Sequence, residues 1–138
     1  MNVKKSVICL IFALLFLFSG CHIQPAASPA PQLVKSITVI KADGDDIHEV
    51  HYTNSEKIAV ILNYLRLIDP YGPPDTDPDK VAGREYRIEL HYRKGPPRIY
   101  LQKADRYLMS DGKWRKIKQE NAEFLGLIVE GMESDRME

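Results

Sequence analysis

Two short segments of this 138-residue chain carry residue types that could do chemistry at matching spacing. Glu49-Val50-His51-Tyr52 and Glu89-Leu90-His91-Tyr92 both read acid, apolar, imidazole, aromatic. In an extended strand, residues two apart share a face, so each segment presents one carboxylate beside one imidazole. If the two strands pair, Glu49, His51, Glu89 and His91 meet, and such a donor set suits zinc or another divalent transition metal. The competing reading is two amphipathic strands with solvated polar faces, and spacing alone favours it. His48 falls on the face opposite His51 and takes no part. The shared pattern is compatible with internal duplication and with chance.

Asp75, Asp77 and Asp79, in the proline-rich stretch 69–79, repeat the opening of a calcium loop. The rest of that motif fails: Lys80 stands where the sharp-turn glycine belongs, and Tyr86 where the bidentate glutamate belongs. A solvated acidic loop is expected instead, and its length makes it a place for partner recognition. Ser110 beside Asp111, with His91 elsewhere, offers the parts of a nucleophile system without a nucleophile elbow. Asp111-Gly112 is better explained as turn chemistry. The chain has no Walker loop, dinucleotide fingerprint, paired-cysteine metal signature or HExxH helix. The expectation is therefore a protein that is not an enzyme and has no catalytic residue, cofactor or metal. Tyr100, Tyr107 and Trp114 could anchor a partner, but strand-rich domains bury such rings first, and Trp114 is expected at the core or its edge.

The elements that must position these residues follow from hydrophobic periodicity. Leu33–Lys41 is rich in β-branched residues and ends at the turn composition Asp43-Gly44-Asp45-Asp46, after which Ile47–Thr53 alternates, giving a hairpin. Ile58, Ile61, Leu62, Leu65 and Ile68 then form one helical stripe, opened by a Thr53/Glu56 capping box and stopped by Asp69-Pro70. From Arg84, Tyr86, Ile88, Leu90 and Tyr92 alternate with Glu85, Arg87, Glu89 and His91, the pattern of a half-buried strand. Arg98–Gln102 and Arg106–Ser110 follow, then Asp111-Gly112 and a short run Lys113–Ile117. A last helix, Gln119–Met132, is expected to bury Phe124, Leu125, Ile128, Val129 and Met132. The fold class is α+β: an antiparallel sheet of about five strands in the order ββα-βββα, with two helices on one face.

The first 21 residues have a different grammar. Lys4 and Lys5 precede an apolar run from Val7 to Phe18, followed by Ser19-Gly20-Cys21, the anatomy of an export signal. The run is about 12 residues, short of the roughly 20 that a helix needs to span a bilayer. Leu17-Phe18-Ser19-Gly20-Cys21 resembles the lipobox of bacterial lipoproteins, with Phe18 where an aliphatic residue is usual. Together with Tyr86–Tyr92, Arg98–Leu101 and the Tyr107-to-Trp114 segment, it looks like small bacterial lipoproteins whose role is uncharacterised. The resemblance implies that residues 1–20 are removed and that Cys21 becomes the first residue, bearing diacylglyceryl and palmitate-type acyl chains. It implies no activity and transfers no catalytic residue. Two acyl chains at ~0.8 kcal/mol per buried CH2 give stable anchoring where one does not. His22 after the cysteine lacks the aspartate that, by the same resemblance, retains such proteins at an inner membrane, so in a two-membrane cell the outer one is expected.

The expected domain division is 1–20 signal peptide, 21–32 lipidated cysteine and tether, and 33–138 a single α+β domain. His22–Gln32 holds Pro25, Pro29 and Pro31 among Ala, Ser and Gln. At ~3.1 Å per residue in polyproline geometry, these ~11 residues reach roughly 30 Å. The chain holds only Cys9 and Cys21, so a domain beginning after Cys21 has no disulfide. The whole chain has 19 basic and 19 acidic residues; removing the first 20 leaves 17 basic, a net charge of −2. Nucleic-acid binders carry a basic excess, so nucleic acid is not an expected partner, and Lys113, Arg115, Lys116 and Lys118 read as a solvated edge. The expected function is a membrane-anchored extracytoplasmic lipoprotein acting as a binding or accessory domain for an envelope protein, peptide or cell-wall component. Its alternative is a divalent-metal-binding lipoprotein using Glu49, His51, Glu89 and His91.

Overall fold

The computed structural model describes residues 33–134. The export segment, Cys21 and the spacer 22–32 lie outside the described residues. Two strands, β1 (Val34–Asp43) and β2 (Asp46–Tyr52), precede helix α1 (Ser55–Leu67). After a long connection come β3 (Glu85–Tyr92), β4 (Arg98–Lys103), β5 (Tyr107–Ser110), β6 (Lys113–Lys116) and helix α2 (Gln119–Ser134). The fold is α+β, with two helices and a six-stranded antiparallel sheet in the spatial order β2-β1-β3-β4-β5-β6.

This corrects the expected count of about five strands. The sixth is the run Lys113–Lys116, whose four residues pair with all of β5. Asp111 (φ 52) and Gly112 (φ 73) supply the two consecutive positive φ values of a primed two-residue hairpin, which is what makes so short a strand turn back. A backbone bridge between Tyr71 and Lys116 extends beyond β6, with N···O distances of 2.8 and 3.2 Å, and blunts the free edge.

Alternation decides which side of the sheet is dry. Ile37 and Val39 of β1, Val50 and Tyr52 of β2, Tyr86, Ile88 and Leu90 of β3, Tyr100 of β4 and Leu108 of β5 form one core with the helices. From α1 come Ile58, Ile61, Leu62 and Tyr64, with Ile68 at its cap; from α2 come Ala122, Leu125, Val129 and Met132. Full burial of such an aliphatic side chain is worth about 1.5–3 kcal/mol.

One buried residue joins the layers. Gln102 of β4, 1% exposed, accepts a hydrogen bond from the Tyr64 hydroxyl of α1 (2.5 Å) and donates to the Ala122 carbonyl of α2 (3.0 Å). Burial pushes the Tyr64 hydroxyl pKa well above its ordinary value.

Two local expectations are corrected. The first helix is capped by Asn54, whose side chain accepts from the amides of Glu56 (2.8 Å) and Lys57 (3.3 Å), and not by Thr53. Asparagine's carbonyl reaches those amides one residue later than a threonine capping box places them. In α2, Phe124 is 58% exposed, because Ala122, Leu125, Val129 and Met132 already fill the stripe that faces the sheet. Ile128 is only half-buried.

Candidate functional site

Both helices cover one face of the sheet, and the side chains of chemical interest lie on the other. The register lines them up in rows. One row crosses all six strands: Glu49, Ile40, Arg87, Leu101, Met109 and Trp114. The adjacent row is His51, Thr38, Glu89 and Ile99, and His91 lies beside it, opposite Ser36. Ile40, Ile99, Leu101, Met109 and Trp114 are all half-buried on this face, so Trp114 sits at an edge of the structure and not in the main core.

The two acid-imidazole segments do come together, but not by pairing with each other. Strand β1 runs between β2 and β3, and its Thr38, 3% exposed, occupies the middle. Thr38 Oγ1 lies 2.9 Å from His51 Nδ1 and 3.0 Å from His91 Nε2. His51 Nε2 is 2.9 Å from Glu49 Oε1. If His51 Nε2–H donates to Glu49, its Nδ1 accepts from the Thr38 hydroxyl, and His91 Nε2–H then donates to the threonine oxygen. The result is a one-directional chain of hydrogen bonds from β3 through β1 to β2.

Each carboxylate is engaged near home. Glu89 Oε1 accepts from Arg87 Nε at 2.6 Å, and its other oxygen lies 3.6 Å from His91 Nε2. Among the described residues, no group of three or more His, Cys, Asp or Glu side chains is arranged to hold a metal ion. Glu49, His51, Glu89 and His91 thus share a face but are arranged around a hydroxyl. Thr38 was the residue missed by sequence reasoning. Its signal was present, since a threonine between Ile37 and Val39 must face away from the core.

The other candidates resolve into structural roles. Asp75 accepts a hydrogen bond from the buried Tyr107 hydroxyl, which in turn meets Thr76 Oγ1 at 3.0 Å. That bond from Tyr107 holds the Asp75 carboxyl below the usual carboxylate range. Asp77 caps the short 3-10 turn Pro78–Lys80 by accepting from the Asp79 amide at 3.1 Å. The long connection is therefore stitched down over the β5–β6 part of the open face, and Tyr107 is buried beneath it. Arg98 is what meets Ser110 (3.5 Å) and Asp111 (2.9 Å). His48 pairs with Asp46 at 3.1 Å.

What remains open is bordered by a depression of about 480 Å³ lined by Arg87, Ile99, Leu101 and Met109, with Pro96 and Pro97 at its end. The exposed faces of α1 and α2 carry a second, apolar groove of about 300 Å³, bordered by Val60, Leu67 and Phe124. The open sheet face combines an arginine, two imidazoles and two carboxylates with exposed apolar area. That mixture can hydrogen-bond a polar partner while burying apolar surface.

The fold and site define a two-layer α+β domain with one uncovered sheet face. No family model matches the chain, and no curated protein or solved structure matches it either. No helix among the described residues is long and apolar enough to cross a membrane.

Proposed function

We propose that this chain is a lipoprotein precursor, anchored through lipid on Cys21 and exposed outside the cytoplasm, whose domain is a non-enzymatic binding module. The observation that carries the binding role is the asymmetry of the sheet. Both helices contribute to a single core on one side, while the other side presents Arg87, His51 and His91 among half-buried Ile40, Ile99, Leu101, Met109 and Trp114. Apolar area rimmed by polar groups is the composition of a recognition surface. The partner is an envelope protein or peptide, and the lipid keeps the module at the membrane.

The anchoring half of the reading rests on Leu17–Cys21 and on the apolar run before it. In a two-membrane cell the destination is the outer membrane. The test of the binding half is site-specific photo-crosslinking in the producing cell, with the reactive group replacing Met109 on the open face or Val60 on the helix layer. A discrete adduct from position 109 and none from position 60 supports the reading. Adducts from position 60 alone move the binding surface to the helices and overturn it.

A further inference from the structure

We infer that the sheet end at which the chain enters the domain docks on an anionic lipid surface, so that the domain is held in one orientation. The inference rests on the acylation of Cys21 proposed above. The antiparallel order places the start of β1, the β3–β4 turn and the β5–β6 turn at the same end of the sheet. The entry point and the β3–β4 turn are in direct contact: Arg93 N–H donates to the Leu33 carbonyl at 3.3 Å, and Val34 is the register partner of Tyr92.

That end is basic. Lys35, at the irregularity near the start of β1, is exposed, as are Arg93 and Lys94 after β3 and Lys113 at the start of β6. None of these four has an ion-pair partner among the described residues. Of the acids at this end, Asp111 is paired to Arg98 at 2.9 Å, and Glu56 is followed in sequence by Lys57. The opposite end mixes signs: Asp43, Asp45 and Asp46 of the β1–β2 turn, Glu85 and Asp105 stand among Lys41, Arg84, Lys103 and Arg106, with Arg84 paired to Asp43 and Lys103 to Glu85. A domain with near-zero total charge thus concentrates net positive charge at its entry end, while the opposite end is close to balanced.

A spacer reaching roughly 30 Å permits the domain either to stand off or to touch down, and the basic end decides for contact. Lys and Arg near an anionic leaflet are attracted within a Debye length, about 10 Å at 0.1 M salt. Touching down on this end leaves the open face directed sideways, free for a partner.

The test uses the mature lipidated protein in nanodiscs of phosphatidylcholine alone or with 30% phosphatidylglycerol. Since acylation consumes Cys21 and Cys9 is removed, a fluorophore is placed through Pro96→Cys at the basic end or Asp45→Cys at the opposite end. A headgroup-attached nitroxide lipid is the quencher. Quenching at position 96 is expected to exceed that at 45 by at least about threefold in the anionic discs, and to fall to the level of position 45 with Arg93→Glu/Lys94→Glu or in 1 M salt. Equal quenching at both positions, or quenching at 96 that ignores lipid charge, overturns the docking and leaves the anchor standing. A chain that fails to stay on neutral discs and lacks the diacylglyceryl mass overturns the anchoring itself.

Discussion

Replacing Gln102 by leucine tests how the two layers are joined. The substitution keeps side-chain volume close to constant and removes both amide hydrogen bonds. It strands the Tyr64 hydroxyl, bonded to Gln102 at 2.5 Å, and takes from the Ala122 carbonyl its second donor at 3.0 Å, leaving that carbonyl its bond within the helix. An unsatisfied buried polar group costs about 1–3 kcal/mol, so Gln102→Leu should cost about 1–3 kcal/mol in urea unfolding. In a domain near this size each kcal/mol lowers Tm by about 4–8 °C. Tyr64→Phe removes one hydroxyl and leaves the Gln102 carbonyl oxygen without that donor, at a cost of about 1–2 kcal/mol. Because both variants break one shared bond, the double variant should cost less than the two single costs combined, by about 1 kcal/mol or more. Additive single effects, or a Gln102→Leu cost below about 0.5 kcal/mol, would refute the clamp.

Four other outcomes are expected. Asp75, held by Tyr107, has a folded pKa below its unfolded value. Its contribution is therefore present above the ordinary aspartate range and lost as pH falls through the lowered folded value, so the unfolding midpoints of Tyr107→Phe and the parent should converge toward acid pH. Asn54→Ala should cost about 0.5–2 kcal/mol in chemical unfolding, while Thr53→Ala stays within about 0.5 kcal/mol. Leu125→Ala should cost about 2–5 kcal/mol and Phe124→Ala about 0.5 or less; equal costs would mean that the helix face is misassigned. Calorimetric titration of the mature protein with zinc, copper or calcium should show no micromolar binding, and a zinc isotherm abolished by His91→Ala would restore the metal reading.

The strands were legible because alternation is a direct record of a one-sided sheet. Tyr86, Ile88 and Leu90 read inward and are inward; Glu49, His51, Glu89 and His91 read outward and lie on the open face. Strand order was not legible. A period of two says which face a residue takes but not which strand lies beside it, so the placement of β1 between the two imidazole strands, and of Thr38 between their rings, could not be derived. Phe124 shows a related limit. Helical spacing allowed it in the apolar stripe, and the narrower contact with the sheet left it out. The cap moved from Thr53 to Asn54 because both residue types can cap, and only the path out of Tyr52 selects between them.

The membrane address of the domain depends on what becomes of the sulfur at position 21. Intact-mass and N-terminal peptide analysis of the protein purified from its own membranes should find Cys21 first in the chain and carrying a diacylglyceryl group. A chain that still begins at Met1, or a free thiol at position 21, would contradict the membrane address and the oriented binding module built on it.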